Sequence, residues 1–272
     1  VENGLIKAFF SLLFCISVVS AEMHSSKYIQ ILDTHKLKQS EVSALAYKNN
    51  KLYALSNNAE LYVYSLNIHN FKIINLQLIE KKILRNKKNH KLQDKKEDSE
   101  GLCFKNNDLL VSFERENRIE LYDIDARKKK NVKIDPLLRD KKSYREANQG
   151  LESVAYNKKY GVITAPELPL KNQSLSTIYS KKKSWSFREK GHITAIEFMS
   201  ENRVLVLLRD KALVSVNLSK CINGLCKSKK LMRVKGSFEG LTKIKDNIYM
   251  MVNDNDGSYF QKTHLVLFEV RD

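Results

Sequence analysis

From residue 28 onward, apolar and polar positions alternate in short runs that are broken by turns rich in Asn, Asp, Gly and Lys. A period of two belongs to β-strands with one face buried, and no window after the first residues sustains the 3.6-residue period of an amphipathic helix. After Glu100 the runs are Leu102–Lys105, Leu109–Glu114, Arg118–Ile124 and Asn131–Leu137. After Leu45 the same count gives Leu45–Lys48, Lys51–Ser56, Glu60–Asn67 and Phe71–Leu78. Each set predicts four strands joined by polar turns.

The sets recur. Ser40-Glu-Val-Ser-Ala-Leu-Ala-Tyr47, Asp98-Ser-Glu-Gly-Leu-Cys-Phe104, Asn148-Gln-Gly-Leu-Glu-Ser-Val-Ala-Tyr156, Gly191-His-Ile-Thr-Ala-Ile-Glu-Phe198 and Ser237-Phe-Glu-Gly-Leu-Thr-Lys-Ile244 all lead into an alternating run. Each is followed by a second, more apolar run. The interval is roughly 43 to 58 residues, the range of propeller blades. Four strands per unit is one blade. The last unit has three, Gly240–Ile244, Asn247–Asn253 and His264–Val270, while Tyr28–Thr34 belongs to no other unit. Pairing the two closes the ring and removes a free sheet edge. The expected fold is an all-β propeller of five blades, with six as the alternative if Lys81–Glu97 and Lys141–Asn148 hold extra strands.

The apolar stretch Leu5–Val19 is too short for a membrane span and ends in Val19-Ser20-Ala21, the small-residue pattern of a signal peptidase site. Residues 1–21 are therefore expected to be a signal peptide and residues 22–272 one propeller domain. The protein is expected to be exported, periplasmic or secreted, monomeric and without stable membrane insertion. In an oxidising compartment Cys221 and Cys226, flanking Asn223-Gly224, can form a local disulfide, leaving Cys103 as a strand thiol.

The formal charge is +17, clustered in Lys81–Lys96, Arg127–Lys130, Lys181–Lys183 and Lys227–Lys230. Such clusters attract phosphorylated small molecules or other anionic ligands. Nucleic acid is not expected, because Lys81–Lys96 carries no interleaved aromatic residues.

In a propeller the innermost strands surround one axis, so residues just before them approach one rim. Glu41, Glu100, Glu152 and Glu239 are brought together by that symmetry, and the fourth unit offers His192 instead. Glu152 follows Gly150-Leu151, whereas Glu100 and Glu239 precede Gly-Leu, so the register differs. Oxygen donors without cysteine or histidine suit calcium or magnesium, and Asp254 and Asp256 in Val252-Asn-Asp-Asn-Asp-Gly257 add to them. Glu114-Arg115 and Arg209-Asp210 each follow a second strand, so Arg115 and Arg209 can meet the rim glutamates or an anion. No Gly-x-Ser-x-Gly elbow supports a serine hydrolase.

The ordered series "SEVSALAY…LYALSNN", "DSEGLCF…LLVSFEREN", "NQGLESVAY…VITAPE", "VLVLLRD", "SFEGLTKI" and "IYMMVNDNDGSYFQKTHLVLFEV" resembles the phytase-like family, described as having esterase-like activity of phytase. Asn57-Asn58 and Leu207-Leu208-Arg209 depart from its acidic pattern. The resemblance implies an exported bacterial propeller and phosphoester hydrolysis. On that reading Glu41, Glu100, Glu152, Glu239, Asp254 and Asp256 hold calcium, and Glu100, Glu152, Glu239, Arg115 and Arg209 serve catalysis. The residues leave a second reading open, a non-catalytic periplasmic binding propeller whose acidic rim is structural.

Overall fold

The computed structural model describes residues 22–92, 97–146, 149–254 and 262–271, and the expected signal peptide and Asp256 lie outside them. The described chain is all-β. After the short β1 (Glu22–Met23) and β2 (Ile29–Leu37), one sheet is built from β3 (Val42–Lys48), β4 (Lys51–Ser56), β5 (Glu60–His69) and β6 (Lys72–Ile83). The next contains β7 (Ser99–Lys105), β8 (Asp108–Phe113), β9 (Arg118–Tyr122) and β10 (Lys128–Val132). Then follow β11 (Leu151–Asn157), β12 (Gly161–Pro166), β13 (Ser176–Ser180) and β14 (Ser184–Phe187). These are succeeded by β15 (Ile193–Phe198), β16 (Arg203–Leu208), β17 (Ala212–Ile222) and β18 (Leu225–Lys235). The two runs join into one larger sheet through a single parallel bridge, Ser186 to Leu225, and β1 adds to the edge at β18. Finally β19 (Phe238–Lys245), β20 (Ile248–Asn253) and β21 (Thr263–Val270) pair in order, and β2 completes this sheet antiparallel to β21.

The first strands of the runs neighbour one another in a closed cycle, β3 to β7, β11, β15, β19 and back to β3. Between successive runs lies a separate apolar core. Leu55 and Leu61 meet Leu109, Val111 and Phe113, for example, and Val204 and Val206 meet Ile163 and Ile178. The ring closes through Leu52 and Leu45 against Met250 and Leu267. Each fully buried aliphatic side chain contributes about 1.5–3 kcal/mol, so face-to-face packing, not strand pairing, holds the ring together.

Every inner strand carries a β-bulge at the same place. The register slips between Val42 and Ala44, Ser99 and Gly101, Leu151 and Ser153, Ile193 and Ala195, and Phe238 and Gly240. The skipped residues, Ser43, Glu100, Glu152, Thr194 and Glu239, are therefore structural equivalents. A small residue follows each: Ala44, Gly101, Ser153, Ala195 and Gly240. The reason is crowding at the axis. A Cβ on Gly101 would sit 2.8 Å from the Val154 nitrogen, and one on Gly240 would sit 3.0 Å from the backbone of Ala44 and Leu45. Below the bulges the space on the axis shrinks to about 10 Å³, so the rim opens into a cup rather than a through channel.

Boundaries differ from expectation at β10, which spans Lys128–Val132 instead of Asn131–Leu137. Pro136 has no N–H to continue a ladder, and the Asp135 side chain accepts from Leu137 N at 2.9 Å to start a 3-10 turn. The preceding lysines look like a solvated charge run in sequence, yet they pair with Ile119–Tyr122. Among the described residues, the 81–97 and 141–148 connections add only isolated bridges and a second 3-10 turn. Cys221 and Cys226 are joined by a disulfide at the tip of the β17–β18 hairpin, and Cys103 is a free thiol in β7.

Candidate axial acidic site

Two equivalent positions per run face the rim. One is the bulge of the inner strand. The other follows the second strand, where the backbone N–H reaches back to the carbonyl just before the inner strand. Asn57 N donates to Glu41 O, Glu114 to Asp98, Glu167 to Gly150, Arg209 to His192 and Asp254 to Ser237, at 2.7–3.2 Å. This recurring bond sets Asn57, Glu114, Glu167, Arg209 and Asp254 around the mouth of the axis. A cavity of about 360 Å³ lies there, lined by these five with Glu100, Glu152, Glu239, Glu146, Gln149 and His192. In the two runs lacking a bulge glutamate, a hydroxyl ties to the next run instead. Ser43 Oγ donates to Ser99 O at 2.7 Å and Thr194 Oγ1 to Phe238 O at 2.9 Å.

Among the described residues seven carboxyl groups and two basic side chains, Arg209 and His192, line the cavity, in a chain of net charge +17. Arg209 serves one side. Its guanidinium lies 2.6 Å from Glu239 Oε1, 3.5 Å from Glu167 Oε1 and 3.8 Å from Glu152 Oε2. His192 Nδ1 is 2.6 Å from the same Glu167 oxygen. On the opposite side the exposed Arg115 pairs with Asp98 at 2.8 Å, and among the described residues Glu100 and Glu114 have no ion pair. There one oxygen each of Asp98, Glu100 and Glu114 lie within 4.8 Å of one another, as do oxygens of Glu114, Glu152 and Glu167. Glu114 belongs to both triads. Gln149, 9% exposed, lines the same space, and its Oε1 is buried without a hydrogen-bond partner.

The electrostatics follow from this crowding. Burial, then the Glu239, Asp98 and Glu114 carboxylates, push Glu100 well above the usual carboxylate range. Burial and the charges of Glu100, Glu167 and Glu239 do the same to Glu152. Glu114 is pushed up to about 8 by burial and by Asp98, against a hydrogen bond from Gly150 N. Arg209 is held charged: burial is opposed by Glu239, Glu152 and Glu167, which raise its pKa. Six of these carboxyls are buried or half-buried, and groups this close must bind protons or a cation.

Of the residues singled out in sequence, Glu100, Glu152, Glu239, Arg209 and Asp254 share this cavity. The offset of Glu152 from the Gly-Leu pair disappears in space, because Leu151 aligns with Ser99 and Phe238 and the bulge restores the register. Glu41 does not line the cavity; its Oε2 accepts from Asn58 Nδ2 at 2.9 Å, and Ser43 holds the bulge position. Arg115, with a 52% exposed side chain, stands outside the lining and pairs with Asp98 at 2.8 Å. Glu114, Glu167 and Gln149 were not among the sequence candidates. Alignment of the runs on their second strands, where Asn57, Glu114, Glu167, Arg209 and Asp254 correspond, is the signal that finds the first two.

Comparison with known proteins matches residues 39–257 to the phytase-like family, described as esterase-like activity of phytase. No curated protein matches in sequence. The chain is similar in structure to the PQQ-bound form of aldose sugar dehydrogenase from Streptomyces coelicolor, with TM-score 0.51 and 10% identity over 92% of this chain and 100% of that one. It is similar also to the Pan2 WD40 domain of Neurospora crassa, with TM-score 0.48 and 7% identity over 92% and 98% of the two chains. At such identity the first likeness shows a β-propeller fold and nothing of the chemistry, and the second adds no argument.

Proposed function

The chain belongs to the phytase-like family, and we propose that it is a phosphoesterase of phosphorylated small molecules whose axial acidic cup holds a divalent cation, calcium by preference. The observation that carries this reading is the pair of carboxyl triads that share Glu114: Arg115 pairs with Asp98 and Arg209 with Glu152 and Glu167, while Glu100 and Glu114 have no ion pair among the described residues. The donor set fits a hard cation: carboxylate oxygens from Asp98, Glu100, Glu114, Glu152 and Glu167, with the unpartnered Gln149 amide oxygen beside them. A bound cation would supply Lewis acidity to a phosphoryl oxygen and acidify a water. Arg209, fixed by Glu239, keeps positive charge on the rim where phosphate oxygens gather charge. Glu167 holds His192 through Nδ1, which leaves Nε2 at the mouth to exchange a proton with a leaving group. Five blades are the count that fits the closed cycle of inner strands, and the Cys221–Cys226 disulfide supports export to an oxidising compartment.

One observation favours the non-catalytic alternative, in which the rim is structural: Arg209 already pairs with three of the glutamates. Phosphate release from an aryl phosphate and from phytate, with calcium or with chelator, separates the readings. Chelator-sensitive turnover that Glu114→Gln abolishes in a folded protein supports hydrolysis. Absence of turnover in every condition rejects it in favour of a binding propeller.

A further inference from the structure

Apart from the acidic cup, a cleft of about 710 Å³ lies beside β9 and β10. Two basic clusters that are distant in sequence are stitched together at its border. Arg85 N donates to Ala126 O and Lys128 N to Arg85 O, both at 2.9 Å, so the 84–92 segment runs beside the 126–128 turn. This places Arg85 opposite Lys91 on one side and opposite Arg127 on the other, each through a backbone bridge. Like charges set face to face destabilise a sheet, and the fold nevertheless gathers them.

Inside the cleft the charges divide into two groups. Glu120, 2% exposed, is neutralised by Arg118 at 2.8 Å and by Lys128, and Arg118 also holds Glu116 at 2.8 Å. Lys91 and Arg139 line the same space from different segments, and neither makes an ion pair with a described carboxylate; Lys91 lies only within coulombic reach of Glu60. Apolar side chains of Leu92, Ile119 and Ile134 floor the cleft. A half-open cleft of this size suits a small organic ligand rather than a polymer. The acidic cup, by contrast, repels anions unless a cation fills it.

We infer that this cleft is a separate anion site for a small organic bisphosphate, with one phosphate on Lys91, the other on Arg139, and the organic part over Ile119 and Ile134. The inference stands whether or not the acidic cup is catalytic, since it uses none of its residues.

The test is calorimetric titration of fructose 1,6-bisphosphate into the protein with chelator present, which keeps any metal at the rim out of the measurement. Lys91→Gln/Arg139→Gln is compared with Lys181→Gln/Lys182→Gln, which removes the same charge from exposed positions elsewhere. Both pairs are exposed, and thermal melts check that folding is unchanged. The expected result is binding by the wild type, weakened roughly tenfold or more by the first pair only, because charge-assisted phosphate contacts are lost. No wild-type binding, unchanged affinity in the first pair, or equal weakening in both pairs overturns the inference.

Discussion

Replacing Arg209 by Met removes the one guanidinium that binds three rim glutamates while keeping most of its apolar volume. The side chains of Glu239, Glu167 and Glu152 are 9%, 8% and 6% exposed, and that of Arg209 is 29% exposed. At an effective dielectric of about 20, pairs at 2.6–3.8 Å are each worth about 4–6 kcal/mol before desolvation is subtracted. Loss of one partner of a buried pair costs about 3–5 kcal/mol, and the partial exposure of Arg209 places the value near the lower end, about 3 kcal/mol. For a domain of this size that is about 6–12 °C in Tm. The loss depends on pH in a definite direction. Glu100 and Glu152 have raised pKa values in the fold and rise further without Arg209, so the folded protein holds protons that the unfolded chain releases above about pH 4.5. Stability of R209M therefore falls more steeply than that of the wild type as pH rises. Urea unfolding at pH 5 and pH 7.5, in chelator, measures both effects. A loss below about 1 kcal/mol at pH 7.5, or an equal loss at both pH values, refutes the reasoning that Arg209 is the counter-ion of the buried cluster.

Glu114→Gln should flatten the pH dependence of the wild type. With its folded pKa at about 8 and its ordinary value at 4.5, Glu114 contributes destabilisation that grows as pH rises through this window, and the amide contributes none; urea midpoints across pH 5–8 show it. Gly101→Ala places a Cβ 2.4 Å from Ser112 Oγ and 2.8 Å from the Val154 nitrogen, and should cost about 1–3 kcal/mol, read by the same unfolding experiment. Gly224→Ala meets no atom but keeps φ at +79°, so its smaller loss is one of backbone strain alone.

Much of the architecture is legible in the chain because each inner strand must be small and apolar where it nears the axis. The pairs Glu100-Gly101 and Glu239-Gly240 announce that position openly. Glu152-Ser153 conceals it, since Leu151 rather than Phe or Ser occupies the start of the bulge and draws the eye to Gly150-Leu151. Glu41 is the converse case: it immediately precedes the strand, at the position of Asp98, where φ is 55° and the side chain is directed to Asn58. Glu167 was illegible as a site residue because it closes "TAPE" without the glycine that marks the others. Only alignment with the other second strands places it at the rim, where a long-range bond of its N–H to Gly150 O holds it. The juncture of the Arg85 and Arg127 segments is hidden for the same reason.

Calcium binding to the rim tests the central claim most directly. Equilibrium dialysis of the wild type and of Glu114→Gln against calcium at pH 7.5 should show saturable binding by the first and its loss in the second. Proton release should accompany the wild-type binding, because Glu100, Glu114 and Glu152 give up protons to the cation. Absence of saturable binding at millimolar calcium, or binding that survives Glu114→Gln unchanged, contradicts the account of the acidic cup as a cation site.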